Sequence, residues 1–266
     1  QIVTCRNMLS KNKIKHFRSL RLKKYRDKYQ EYIVEGEKVI NELLGCKYPH
    51  VKHVIGTEQW INENFKDKSY PPENILTTSG HDLSKISSFK TPPGVIAVLH
   101  IPEQTFNKDI VNNDISLVLD KIQDPGNLGN IIRIADWFGI ENIFCSHDCA
   151  DRFNPKVIQA TMGAFMRVNL WNVNLTELLE EYSSIPGFNV YGAFLEGESI
   201  YEQELGKSAF IVMGNESRGI SKNYIPYIKS RLFIPNYSAR AGSIDSLNVS
   251  AATAVICSEF RRRKKK

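Results

Sequence analysis

The sequence predicts an α/β protein with two domains. Short apolar segments rich in β-branched residues alternate with helical patterns along most of the chain, which favours sheets covered by helices. The segment 102–114 is polar and has no sustained periodicity, as expected of a linker. With 266 residues, the chain is long enough for two cores. We predict a small α/β domain over 1–105, a linker over 106–115, and a larger domain over 116–266 with a mostly parallel sheet and helices on both faces.

The first domain begins with a basic segment. Eight Lys or Arg residues and a single acid, Asp27, lie between Lys13 and Lys28, with apolar residues interleaved at helical spacing. We predict one amphipathic helix whose cationic face is either simply solvated or in contact with RNA phosphates. After it, strands are predicted at 32–36, 51–56, 75–77 and 95–99, and helices at 37–44, 57–65 and 81–88.

The second domain opens with a strand at 116–119 and a turn at Asp124-Pro125-Gly126. In the helix that follows, apolar residues from Leu128 to Phe138 recur at the spacing of a buried face. Arg133 falls on the opposite side and should point away from the core. Further strands are predicted at 142–146, 165–170, 188–194, 209–213 and 231–234, and further helices at 155–163, 175–183, 221–228 and 246–263.

The last helix follows a loop of small residues. Leu247 to Cys257 is apolar almost all round, so we expect it to be buried on most sides. Ser246 or Asp245 is a good N-cap, which places Asn248 in the first turn beside free N–H groups and the positive end of the helix dipole. Ser246 and Asn248 would then lie at the mouth of a site, although Ser246 alone has the simpler interpretation of a helix cap.

Two glycine-bounded turns follow predicted strands. Gly126 to Gly129 lacks the G-x-G-x-x-G pattern and the acidic residue of a dinucleotide-binding turn, so we reject that function. Gly214 to Gly219 directly follows an apolar strand and therefore lies at the edge where open α/β sheets bind ligands. Gly214 would permit close approach of a ligand to the backbone. Glu216 is either an active-site acid or a solvent-facing loop residue.

Three segments, 117–139, 211–219 and 234–250, together and in this order resemble the three motifs of the SpoU/TrmH family, RNA ribose 2′-O-methyltransferases of the SPOUT superfamily. The resemblance is close over the second domain and looser over the first. It implies a trefoil knot in the second domain, a homodimer, S-adenosyl-L-methionine as cofactor without a metal, and an RNA substrate-binding role for the first domain. The third motif departs from the common pattern by a longer loop around Tyr237 to Arg240.

The resemblance also implies roles for single residues. Arg133 would stabilise the ribose alkoxide, and since a guanidinium stays protonated we favour this electrostatic role over that of a base. Asn127, Ser246 and Asn248 would order Arg133 and the ribose, while Glu216 would fix its loop or pair with a basic neighbour. Arg240 is a candidate phosphate contact. The cofactor would lie among Leu195, Met213, Gly214, Ile234 and Leu247, with Thr161 to Ala164 beside it.

Composition limits the class of protein further. Five scattered cysteines form no zinc pattern and are expected to be reduced thiols, mostly buried. No apolar run reaches membrane-spanning length and no signal peptide is evident, so we expect a cytoplasmic protein. Because the chain begins with Gln1, we expect a few residues to precede it. The net charge of +6 resides in the tail Arg261 to Lys266, which we expect to be disordered and to serve as an RNA arm.

The RNA itself is the least constrained part of the prediction. The presence of a separate amino-terminal domain favours ribosomal RNA of the large subunit. Transfer RNA as the substrate, methylation of a base instead of a ribose, and RNA binding without catalysis are the alternatives.

Overall fold

The computed structural model describes residues 9–65, 74–107, 111, 114–238 and 246–263, which form two compact units. The first unit holds the described residues up to Gln104 together with Phe153–Gly163. The second holds those of Thr105–Arg152 and from Ala164 onward. Predictions made for Cys5, Arg240, Asp245 and the last three lysines lie outside the described residues.

The first unit contains a four-stranded mixed sheet in the order β1-β4-β2-β3. Strand β4 is antiparallel to both β1 and β2, while β2 and β3 are parallel. Helices connect the strands at nearly the predicted positions. The elements are α1 (Lys11–Ser19), α2 (Lys23–Tyr29), β1 (Glu31–Glu35), α3 (Glu37–Gly45), β2 (Val51–Thr57), α4 (Glu58–Asn64), β3 (Ile75–Thr78), α5 (Gly80–Ile86) and β4 (Val95–His100).

The basic segment forms two helices, so the prediction of one helix was wrong. Phe17 and Leu20 are both buried, and the chain turns after Leu20 to begin α2 at Lys23. Arg26, counted on the cationic face, is buried. Its guanidinium donates to the carbonyl oxygens of Leu20 at 2.8 Å and Arg21 at 2.9 Å. These carbonyls lie at the helix break and have no intrahelical partner, so Arg26 compensates for the break.

The second unit contains a seven-stranded sheet in the order β7-β6-β5-β10-β8-β11-β9, in which every pair is parallel. The prediction of a mostly parallel sheet is confirmed. All residues of the central strands β5 and β10 are buried, as expected of strands covered on both faces. The strands are β5 (Ile115–Leu119), β6 (Asn142–Cys145), β7 (Asn169–Asn172), β8 (Asn189–Phe194), β9 (Glu198–Ser199), β10 (Ala209–Met213) and β11 (Ser230–Phe233).

The helices after β5 are α6 (Pro125–Trp137), α7 (Pro155–Thr161), α8 (Leu175–Ser183) and α9 (Val249–Arg263). The segment predicted as a helix at 221–228 forms only a 3-10 turn at Ile225–Tyr227, because Pro226 lacks the N–H that an α-helix needs there. The segment predicted as a strand at 165–170 forms a 3-10 turn at Ala164–Met166 before β7. Helix α7 packs on β1 within the first unit.

The final turn of α9 corrects the expectation of disorder for Arg261 to Arg263. Arg261 donates to the carbonyl oxygens of Phe138 at 2.6 Å and Gly139 at 2.9 Å and to the Asp114 carboxylate at 2.7 Å. Arg263 donates to the carbonyl oxygens of the chain around Tyr201. These two residues thus attach the helix to the rest of the unit. The helix packs against α6, yet Ala251 and Ser258 are exposed, so it is buried on fewer sides than expected.

Within the described ranges, no helix is long and apolar enough to cross a membrane. Cys46, Cys145, Cys149 and Cys257 are free thiols. Cys145 and Cys257 are buried, whereas Cys46 is exposed.

Candidate functional site

The loops that follow the central strands meet at one edge of the parallel sheet. Strands β5, β10, β8 and β11 are neighbours, and their paired registers end together near Leu119, Met213, Gly192 and Phe233. Because the strands run in the same direction, the loops at their carboxyl ends share this edge, where α/β sheets bind ligands. The loops of all three motifs start or finish here.

Helix α6 presents Asn127 at this edge. Asp124 is the N-cap, and its carboxylate accepts the backbone N–H of Asn127 at 2.8 Å. Pro125 occupies the first helical position, where a missing N–H has no cost. The predicted turn at Asp124 to Gly126 is therefore the first turn of the helix itself. Its start fixes Asn127 in place, and the Asn127 Nδ2 donates to Glu216 Oε1 at 2.7 Å.

Helix α9 presents Asn248, which corrects the predicted capping. The helix begins at Val249, and Asn248 Oδ1 accepts the backbone N–H of Ser250 at 2.9 Å and its hydroxyl at 2.6 Å. Asn248 is therefore the capping side chain instead of a residue of the first turn, and the cap is not Ser246. The Asn248 Nδ2 donates to Asn127 Oδ1 at 3.0 Å.

These contacts form one directional chain of hydrogen bonds, from Ser250 to Asn248, Asn127 and Glu216. Ser250 occupies the Asn248 oxygen, so the Asn248 amide must face Asn127 with its nitrogen. The Asn127 oxygen is occupied in turn, so its nitrogen faces Glu216. One residue from each of the three predicted motifs is joined in this way. We call Asn127, Glu216 and Asn248 the amide chain.

The loop that carries Glu216 is rigidly closed. Asn215 and Gly219 exchange two backbone hydrogen bonds, of 3.0 and 2.9 Å, and the Asn215 side chain donates to the Lys121 carbonyl at 2.9 Å. A Cβ placed on Gly214 would lie 2.3 Å from the Gly219 carbonyl carbon. Glycine is thus required at 214 by the loop's own backbone, and the predicted close approach of a ligand there stays a prediction.

Asp120 stabilises the same loop through two hydrogen bonds. It was not among the residues predicted from the sequence. It is fully buried at the end of β5, its N–H donates to the Met213 carbonyl at 2.9 Å, and its Oδ2 accepts the Ser221 N–H at 2.6 Å. Among the described residues, Oδ1 has no hydrogen-bond partner. The available signal was an acid that directly ends the apolar run Leu117 to Leu119.

Arg133 lies on the exposed face of α6, as predicted. In the described part of the chain, its side chain makes no hydrogen bond or ion pair with a protein group, and Ser246, which is also exposed, makes none either. The amide chain therefore does not bind Arg133 directly, contrary to the expectation that Asn127, Ser246 and Asn248 order it. An exposed guanidinium without a protein partner is available to an anionic ligand.

The residues expected around the cofactor end or follow β8, β10 and β11, or precede α9. Met213 is buried, while Gly214 and Ile234 are half-buried. Leu195 and Leu247 are 63% and 53% exposed, and large apolar side chains at this exposure suit contact with an apolar group. Of the segment expected beside the cofactor, Thr161 to Gly163 belongs to the first unit and Ala164 to the second.

The sequence matches two family models. Residues 114–258 match the SpoU rRNA Methylase family, and residues 11–97 match the MRM3-like substrate binding domain. The chain is 29% identical over 257 residues to the 23S rRNA (guanosine(2553)-2'-O)-methyltransferase RlmP of Bacillus subtilis, which covers 94% of this chain and 96% of that protein. It is 30% identical over 214 residues to the 23S rRNA (guanosine-2'-O-)-methyltransferase RlmB of Neisseria meningitidis, with coverage of 78% and 80%.

A solved structure of a TrmH-family protein from Porphyromonas gingivalis matches with a TM-score of 0.84 at 39% identity, over 97% of this chain and all of that one. Fold, site and relatives together define an RNA methyltransferase. The chain belongs to the SpoU rRNA methylase family, which confirms the resemblance seen in the three motifs.

Proposed function

We propose that this chain transfers the methyl group of S-adenosylmethionine to a ribose 2′-hydroxyl of large-subunit ribosomal RNA. The observation that carries the proposal is the amide chain, which joins the three motifs at the carboxyl edge of the sheet, on the same helix as Arg133, which has no partner among the described residues. RlmP and RlmB, similar over most of their lengths, are both named as 23S rRNA 2′-O-methyltransferases.

S-adenosylmethionine supplies an electrophilic methyl group on a sulfonium when it is bound. The residues that would hold it are Leu195, Met213, Gly214, Ile234 and Leu247. Two observations support this fit. The adjacent parallel strands β10, β8 and β11 end at the same edge of the sheet, where their backbone groups can face a ligand. Two exposed leucines, Leu195 and Leu247, offer an apolar surface for an adenine.

Arg133 is the proposed catalytic residue. A 2′-hydroxyl is weakly acidic, so negative charge develops on its oxygen during transfer, and a cation placed there lowers the barrier. The guanidinium keeps its proton, so the hydroxyl proton leaves to water or to an RNA phosphate. The amide chain holds the first turn of α6 against the Glu216 loop and α9. Since Arg133 lies six residues further along the same helix, about 9 Å, it is positioned through the helix.

We also propose a role for each domain, a homodimer, a knot and a cellular location. We assign RNA binding to residues 1–105, joined by 106–115 to the catalytic residues 116–266, because residues 11–97 match a substrate-binding family. A homodimer is supported by Trp137, which is 84% exposed on the same helix as Arg133 and is the kind of apolar surface that a second copy covers. A trefoil knot around α9 and a cytoplasmic location complete the proposal.

The test is transfer of labelled methyl from S-adenosylmethionine to unmodified total RNA, followed by nucleoside digestion and mass spectrometry. Wild type should label a ribose in the ribosomal RNA fraction, and Arg133→Ala should abolish the label. Arg133→Lys, which keeps the charge but not the planar donors, should retain part of the rate. Label in transfer RNA or on a base would refute the substrate or the position. Binding of RNA without any label would refute the activity.

A further inference from the structure

The helix surface around Arg133 contains one competing anion. Residues three or four positions away on a helix are neighbours, and for Arg133 these are Gly129, Asn130, Asp136 and Trp137. Of the four, only Asp136 is acidic. A carboxylate at i+3 is within reach of an exposed arginine, yet among the described residues Arg133 makes no ion pair.

Asp136 is occupied by another residue. Arg167 Nε donates to Asp136 Oδ1 at 2.9 Å and to Oδ2 at 3.1 Å, and Arg167 Nη2 donates to Oδ2 at 2.8 Å. This is a bidentate contact, in which both carboxylate oxygens face one guanidinium. Arg167 is held for it by the 3-10 turn at Ala164–Met166, where its backbone N–H donates to the Ala164 carbonyl at 3.0 Å.

We propose that Arg167 is a positioning residue that keeps Arg133 free for catalysis by occupying the carboxylate of Asp136. The inference rests on the proposed role of Arg133. The Asp136 carboxylate is partly exposed, so it would capture Arg133 if Arg167 were absent. A captured guanidinium is turned towards its own helix and is neutralised, and it no longer faces a developing oxyanion.

The kinetic test compares Arg167→Ala, Asp136→Asn and the double variant, with an unmodified 23S rRNA transcript and labelled S-adenosylmethionine. Arg167→Ala should lower kcat by about two- to threefold, the loss expected when an exposed helical ion pair holds Arg133 in half to two-thirds of the molecules. Asp136→Asn removes the competitor and should keep the wild-type kcat. The double variant should recover it. The defect should also shrink as salt screens the new pair.

A merely structural ion pair gives a different pattern. Asp136→Asn would then be as harmful as Arg167→Ala, and the double variant would not recover, which would overturn the proposal. A change in KM for RNA alone would also overturn it, because that result indicates repulsion between the bare carboxylate and RNA phosphates. Arg167→Lys, which keeps the charge without the fork, should fall between wild type and Arg167→Ala.

A second measurement is independent of catalysis. The rate at which phenylglyoxal modifies Arg133, followed by peptide mass spectrometry, reports whether its guanidinium is free. We expect about a twofold lower rate in Arg167→Ala and the wild-type rate in the double variant. An unchanged rate in Arg167→Ala refutes the capture of Arg133 whatever the activity. If the modification rates do not follow this pattern but Arg133→Ala still abolishes methylation, the role of Arg167 is refuted and the proposed function stands.

Discussion

An exchange of donor and acceptor between Asn127 and Glu216 tests whether the amide chain works as a unit. In Asn127→Asp, the nitrogen that lies 2.7 Å from Glu216 Oε1 becomes a carboxylate oxygen, so two acceptors face each other. In the double variant with Glu216→Gln, the new amide donates in the opposite direction and restores one donor and one acceptor. The contact with Asn248 is retained in both, because that residue still donates to position 127.

The cost can be estimated from the geometry. Loss of a hydrogen bond to a charged acceptor costs about 1.5 to 3 kcal/mol. Two carboxylates about 4 Å apart in a solvent-exposed position repel by about 1 kcal/mol more. Since Glu216 is exposed, we take the lower part of the summed range, about 2.5 to 3 kcal/mol. If transfer requires the closed chain, kcat should fall by about 70- to 160-fold in Asn127→Asp.

Single-turnover methylation of an unmodified 23S rRNA transcript measures this loss, and circular dichroism confirms that each variant is folded. The double variant should regain at least tenfold over Asn127→Asp. Glu216→Gln alone serves as the matched control: its amide oxygen can still accept from Asn127 Nδ2, so it loses the charge but keeps the hydrogen bond and should be impaired far less than Asn127→Asp. Additive losses in the two single variants, without recovery in the double, would show that each residue acts separately and would refute the directional chain.

Two further predictions concern the anchoring of α9 and the acid stability of the first unit. Arg261→Ala removes three hydrogen bonds, including the ion pair with Asp114, and should lower the melting temperature by about 4 to 8 °C. Arg262 is more exposed, so Arg262→Ala is the control and should lower the melting temperature less. Equal shifts in the two variants would contradict the anchoring role of Arg261. Burial, with Lys13 and Lys52 nearby, lowers the pKa of His53 from 6.5 to about 4. Between these two pH values the unfolded state binds a proton on His53 that the folded state does not. The free energy of unfolding should therefore decline as the pH falls from 6.5 towards 4. His53→Gln should flatten that decline in urea titrations, and an unchanged pH dependence would refute the assignment.

The elements that sequence alone could predict are those in which burial and local signals agree. Strand β10 is a continuous apolar run and β5 is apolar apart from Ser116. Helix α8 has the predicted bounds because Asn174 caps it and four apolar residues face the core. The exposed face of α6 followed from helical spacing alone. In each case, the pattern that predicts the element is also the pattern that buries it.

The predictions failed where a distant partner decides the local structure. The break between α1 and α2 depends on burial of Leu20 and on Arg26 reaching back to its carbonyl, neither of which has a local signature. The start of α9 was placed too early because Ser246 and Asp245 are good caps by residue type. Asn248 is the cap in the structure, and it also donates across 121 residues to Asn127.

The residues of the candidate site fall into two groups, which the resemblance separated by role and the structure separates by contacts. Asn127, Glu216 and Asn248 satisfy one another, so their polar groups are used for position. Arg133 is left unsatisfied in the described part of the chain although an acid lies one helical turn away. Motif resemblance implied both roles but not these contacts, because the contacts depend on which donor meets which acceptor. A cation is useful to a developing oxyanion only if no carboxylate of its own protein has already neutralised it. The assignment of chemistry to Arg133 and of support to the amide chain follows from that distinction.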